Sequence, residues 1–241
     1  MGVEQRLGTA TFLLQCSGFT NMPAVSLMHL PFELHTSILK FLLSFSLELV
    51  WCVTPPMTVT GEWYWIERDL RSESLFPFNA ASVCKLWYNI LAGIPECWTR
   101  VVFDLASDPG PYLNAFSWSR NLEKIHVEIF NSSEYGEEVD EALENERISV
   151  IAQALQHHVH RCRSITINTI YSSSIPSPNI FFLRDAPILY ALVLEFHIDN
   201  FDASTHPLPP TLGEEQPTFA TSFPRLGRLS IPAFWLIDEQ G

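Results

Sequence analysis

The chain has 241 residues, 47% of them hydrophobic and including 17 Phe and 7 Trp, which is ample apolar surface for a buried core and excludes a disordered chain. Lysine and arginine number 14 against 27 aspartates and glutamates, and the resulting formal charge of -13 repels phosphate backbones and disfavours a nucleic-acid partner. Five cysteines, at 16, 52, 84, 97 and 162, form neither a Cys-x-x-Cys pair nor a dense cluster, an odd and irregular set that fits a reducing compartment, cytoplasmic or nuclear.

Residues 1–23 mix Thr, Gly, Ser and Asn with apolar residues and read as a loosely held leader. Gln15 interrupts the apolar Ala10–Leu14 piece and Glu4 spoils a basic n-region, so no cleaved signal peptide is expected, and Arg6 stands where a myristoylation signal needs Ser or Thr. The Phe41–Leu47 run between Lys40 and Glu48 is too short to cross a bilayer, and no membrane partner is expected. From Leu30, Pro31 suits the first turn of a helix, along which Leu34, Ile38, Leu39 and Leu42 make an apolar stripe. A second helix is expected after Asn79, its apolar face built from Val83, Trp87, Ile90 and Leu91 at i, i+4, i+7 and i+8, with Asn79 as cap and Gly93 and Pro95 as the stop. Between the helices Ser44–Phe78 breaks the helical period, holds Pro55-Pro56 and the cluster Trp63-Tyr64-Trp65, and reads as an insertion that loops out. Past Trp98, Val101–Leu105 reads as a short strand, and the turn residues Ser107–Gly110 mark a domain boundary.

Three landmarks, the Leu30-Pro31 opening, the Val83-Cys84-Lys85-Leu86-Trp87 helix and Trp98, together resemble an F-box over Leu30–Phe103. The resemblance implies docking onto the Skp-type adaptor of a cullin-RING ubiquitin ligase and, through it, association with the cullin scaffold. Leu30, Pro31, Leu34, Ile38, Leu42, Val83, Cys84, Trp87 and Trp98 are the adaptor-binding positions it implies. F-box helices are joined by a short connection, so the segment 44–78 departs from the family pattern.

Beyond residue 107 an apolar-x-x-apolar-x-apolar pattern recurs, starting at Leu122, Cys162, Leu189 and Leu226. It resembles the strand segment of leucine-rich repeats, in which each unit adds one strand to a curved parallel sheet. The spacings are 40, 27 and 37 residues, and only the middle one suits that repeat without insertions. Asn131–Glu146, with acidic residues at 134, 137, 138, 140, 141, 144 and 146, and the Pro-, Thr- and Glu-rich Asp199–Pro217 read as solvated loops. Ile148, Ile151, Leu155 and Val159 read as the buried stripe of a return helix. The chain runs only ten residues past Ile231 without a closing helix, so the repeat region is expected to be an incomplete solenoid or a fragment of one. Side chains alternate faces along a strand, which assigns Lys124, His126, Glu128, Ser164, Thr166, Asn168, Ala191, Val193, Glu195, Arg228 and Ser230 to the exposed face. From these Lys124, His126, Glu128, Thr166, Asn168, Val193, Glu195 and Arg228 are the expected client-binding positions.

The expected fold class is therefore α+β: a loose leader (1–23), an F-box-like helical module (24–107) interrupted by the insertion at 44–78, and a leucine-rich-repeat-like α/β region with a parallel sheet (108–241). The Gln156–Cys162 cluster is the one stretch dense in metal-capable residues, yet no helix face gathers three ligands from it, and it reads as a helix end whose imidazoles face water and the helix dipole. No nucleophile elbow, phosphate loop, dinucleotide turn or zinc-protease helix occurs, so no catalytic residue, metal or cofactor is assigned. Two functions fit. One is a non-enzymatic substrate-recognition subunit that holds an unknown protein client near the ligase. The other is a free-standing interaction or structural protein whose F-box-like helices simply pack on the repeats.

Overall fold

A computed structural model of the chain describes residues 29–54, 58–133, 139–176, 185–200 and 222–232. The leader, Pro55-Pro56 and most of the expected Asp199–Pro217 loop lie outside the described residues. The architecture is mixed helix and strand around a parallel sheet of five strands in chain order: β3 (Arg100–Asp104), β4 (Ile125–Phe130), β5 (Cys162–Tyr171), β6 (Ala191–Ile198) and β7 (Arg228–Ser230). The Ile-His-Val-Glu-Ile-Phe alternation of β4 is reproduced in its burial, with Ile125, Val127 and Ile129 enclosed and the residues between them half-buried.

Parallel strands need crossovers, and those described lie on the face that carries the enclosed residues. β3 leads to β4 through a turn at Gly110–Tyr112 and the short helix α4 (Ala115–Trp118), and β4 leads to β5 through α5 (Glu141–Gln156). Ile148, Ile151 and Leu155 of α5, with Val159 just beyond it, enter the same core as Val127, Ile165 and Leu192. Buried Arg161 ties these layers together, its guanidinium donating to the backbone carbonyls of Phe116, Arg120 and Leu122.

Several expectations change. The acidic stretch is not all loop: Asp140 caps α5 by accepting from the amides of Ala142 and Leu143 at 3.0 and 3.3 Å, and Glu144 points inward. Its carboxylate accepts from Asn131 Nδ2, Ser174 Oγ and the amides of Ile170 and Tyr171 at 2.7–3.1 Å, which satisfies a charge that burial alone would forbid. Asn131, whose Nδ2 is held there, is itself buried. The pairing of β4 with β5 is shifted by two residues from the repeat alignment, since Val127 and not Ile125 stands opposite Ile165, and a bulge after Ile125 leaves Arg163 extra; an even shift keeps the same side chains on the enclosed face. From β5 onward the alignment matches, Ile165, Leu192 and Leu229 lying in one row.

The helical part also differs from its expected form. α1 spans Phe32–Ser46, with Pro31 at its cap, and buries His35 and Leu39. The second expected helix is two, α2 (Phe78–Val83) and α3 (Lys85–Ala92), divided at Cys84, whose φ of -165° and ψ of 161° are extended. Val83 and Cys84 are weak helix formers, and the break turns Val83 out to solvent while Trp87, Ile90 and Leu91 stay buried. Asn79 lies inside α2, where Pro77 is the cap, and its side chain accepts from the adjacent Ala80 amide and caps no further turn among the described residues.

The segment 44–78 does not simply loop out. Ser44 to Ser46 complete α1, and β1 (Leu47–Thr54) pairs antiparallel with β2 (Thr58–Trp65) as a separate hairpin. Trp65 stacks on Phe76 at 6.3 Å, and Leu75, Phe76 and Pro77 are buried, so the end of the segment is core. Nor does a boundary near residue 107 separate two cores, since β3 pairs with β4 and one apolar cluster runs from Leu39 to Phe223.

Candidate functional site

Trp87 and Trp98 are buried and hydrogen-bonded within the fold. The Trp87 indole donates to Nδ1 of fully enclosed His35 at 3.0 Å, which pins α1 to α3. Trp98 donates to the Leu91 carbonyl at 2.8 Å and packs on Trp118. Burying an indole of this size contributes at most about 4–6 kcal/mol, so neither ring is spare for a partner. Cys84 and Leu30 are half-buried, and Ile38 is partly buried against the core.

The remaining implied adaptor positions are open to solvent, and Phe41 and Phe45 join them. Leu34, Phe41 and Phe45 recur at i, i+7 and i+11 and are 49%, 63% and 64% exposed, flanked by exposed Leu42. Pro31 and Val83 are exposed as well. Phe41 and Phe45 make an edge-to-face pair at 4.5 Å. α1 is thus apolar on two opposite sides, one buried through His35 and Leu39 and one in water, whereas a surface helix ordinarily turns a polar side outward. Counting on from Leu34 to Ile38, Phe41 and Phe45 exposes this stripe in the sequence.

The second region is the open face of the sheet. Register aligns its side chains into rows: Arg100, His126, Ser164, Ala191 and Arg228 across the N-terminal ends of the strands, then Val102, Glu128, Thr166, Val193 and Ser230, then Asp104, Phe130, Asn168 and Glu195. Lys124, Glu195 and Arg228 are exposed and His126, Glu128, Thr166 and Asn168 half-buried, so seven of the eight expected client-facing residues reach this surface to some degree. Val193 does not: it is 4% exposed, a β-branched side chain on a central strand between Thr166 and Ser230. Leu229, expected inside, is 44% exposed because β7 is the sheet's last described strand.

At the N-terminal end of this face, α1 and Trp65 wall off a groove of about 710 Å³, within the range of ligand and peptide pockets. Its floor is Arg100, buried, with its guanidinium 4.6 Å from the centre of the Trp65 ring and Nη1 donating to the Glu67 carbonyl at 2.5 Å. Nε and Nη2 have no acceptor among the described residues, at a cost of about 1–3 kcal/mol for each unmet charged donor. Burial lowers the Arg100 pKa to about 10, with Glu128 and Glu67 opposing the shift, so the guanidinium stays charged at neutral pH. Burial also pushes the Glu128 carboxyl above the usual carboxylate range, against the Thr166 hydrogen bond and the fields of Arg100 and Arg228. His126 Nδ1 and Ser164 Oγ lie 2.8 Å apart beside them. Lys124, on the rim, holds φ at 65°, the left-handed region that glycine favours.

The helix end at 156–162 is not fully solvated. His157 and His160 are exposed, but His158 stacks on Phe116 at 5.5 Å and approaches Arg161, and burial with that cation lowers its pKa to about 4.

No known protein family, curated protein or solved structure matches the chain. Among the described residues no helix is long and apolar enough to cross a membrane.

Proposed function

We propose that this protein is a non-enzymatic substrate-recognition subunit of a cullin-RING ubiquitin ligase, acting in the cytoplasm or nucleus. The outer stripe of α1 docks on a Skp-type adaptor, and the open face of a leucine-rich-repeat-like sheet holds a protein client, raising its effective concentration at the site of ubiquitin transfer. The observation that carries the reading is the water-facing Leu34–Phe41–Phe45 stripe on the very helix that the Leu30-Pro31 motif opens. Four large apolar side chains on one helical side, Leu34, Phe41, Leu42 and Phe45, form the kind of patch that marks a protein contact. Copurification of a Skp-type adaptor on coexpression with the full chain tests this, and an adaptor that elutes alone argues against it.

A free-standing interaction protein is the second reading, and the apolar core shared by Leu39 of α1 and the sheet favours it, because the helices then serve to close one end of the sheet. Under that reading the client face is retained and adaptor binding is absent.

A further inference from the structure

We infer that the groove between α1 and the N-terminal ends of the strands binds an acidic peptide segment of a protein partner, through Arg100, Lys40, Lys124 and Arg163. This deepens the client-recognition reading by naming the chemistry of the client and the end of the sheet that takes it. The chain is strongly acidic and holds only three lysines and eleven arginines, yet two of those lysines and two of those arginines line this one groove. Chance would spread so few cations over the whole surface. The row of Arg100, His126, Ser164, Ala191 and Arg228 carries no carboxylate, whereas the row at the opposite end of the strands carries Asp104 and Glu195, so the face is polarised along the strand direction.

The floor carries a cation. Arg100 is nine-tenths buried, and its Nε and Nη2, enclosed themselves, have no acceptor among the described residues, so its charge acts on the groove as a field from beneath and not through a direct hydrogen bond. Trp65 lies against that guanidinium and holds it in orientation. Glu96, Glu123 and Glu128 also line the groove, and burial pushes the Glu128 carboxyl above the usual carboxylate range, against the fields of Arg100 and Arg228. A peptide with acidic side chains therefore meets a cationic floor and two exposed lysines on the rim, with the mixed carboxylates setting register.

The test is fluorescence anisotropy of fluorescein-labelled hexaglutamate titrated with the full chain, against hexaglutamine of the same length, at ~0.15 M salt so that the net charge of the chain is screened beyond about 8 Å. The expected result is at least about tenfold tighter binding of hexaglutamate, lost in the double variant Lys40→Glu with Lys124→Gly. Both positions are exposed and Lys124→Gly relieves a left-handed backbone, so the variant keeps its fold, as circular dichroism verifies. Glu128→Gln is expected to tighten hexaglutamate about two- to threefold by removing the floor's carboxylate. Equal affinity for the two peptides, or hexaglutamate binding untouched by the double variant, overturns the proposal. Neither lysine belongs to the outer stripe of α1, so adaptor binding is measured separately on the same variant and its outcome does not depend on this one.

Discussion

Replacing Trp87 by Phe tests whether α1 is pinned through a single buried hydrogen bond. The indole donates to His35 Nδ1 at 3.0 Å, and Nε2 of the same fully buried ring already lacks a partner among the described residues. Trp87→Phe therefore strips His35 of its one described side-chain contact of this kind, costing about 1–3 kcal/mol for an unmet buried polar atom, and leaves a void worth about 1–2 kcal/mol more. The expected loss is about 2–5 kcal/mol, a large part of the roughly 5–15 kcal/mol that holds a domain together. His35→Leu in the same background removes the stranded ring, and replacing both partners by apolar groups is close to neutral for the hydrogen bond itself. The double variant should thus be more stable than the sum of the singles by about 1–2 kcal/mol. Equilibrium urea unfolding followed by far-ultraviolet circular dichroism gives the four stabilities of the cycle. Strict additivity, or a loss below about 1 kcal/mol for Trp87→Phe, would refute the argument.

Three further outcomes follow from the burial of polar groups. Glu144→Ala strands four donors at once and should cost at least about 3 kcal/mol in urea unfolding, with Ser174→Ala costing only about 1 kcal/mol. Burial pushes the thiols of Cys97 and Cys162 up to about 12, so site-resolved mass spectrometry should find both unalkylated by iodoacetamide at pH 8 until the chain is unfolded in urea. For His158 the folded pKa of about 4 lies below the ordinary value of 6.5, so the unfolded chain binds more protons between them; its contribution is complete above 6.5 and lost as pH falls through 4. Screening at this half-buried ring limits the effect to about 1 kcal/mol, and His158→Phe, which keeps the stack on Phe116, should flatten that part of the stability–pH curve.

The sequence displayed local periodicity well and long-range partnership poorly. The alternation in β4 and the Ile148–Ile151–Leu155 stripe were readable because each is a property of neighbouring residues, and both occur as expected. The Cys84 break was not, since one extended residue inside an apolar period leaves the pattern intact while turning Val83 outward. Glu144 looked like one more member of an acidic run, because its partners, Asn131, Ile170, Tyr171 and Ser174, are 13 to 30 residues away. Arg100 was hidden for the same reason: its position in the groove depends on Glu67 and Trp65, from a segment whose prolines and broken period gave no sign that its end turns back onto the sheet. The outer side of α1 is half legible through Leu34 and Leu42, while Phe41 and Phe45 stand in an apolar run that carries no facing signal of its own.

The central claim is tested most directly by isothermal titration of a purified Skp-type adaptor into the full chain and into the variant Leu34→Asp with Phe41→Asp. Both side chains are largely in water, so the substitutions should leave urea stability within about 0.5 kcal/mol, and any change in binding reports on contact, not on folding. The account predicts a saturable complex with the native chain and a loss of at least about a hundredfold in affinity with the variant, since two apolar anchors and their desolvation are removed together. Undetectable binding to the native chain, or equal affinity for the variant, would contradict it.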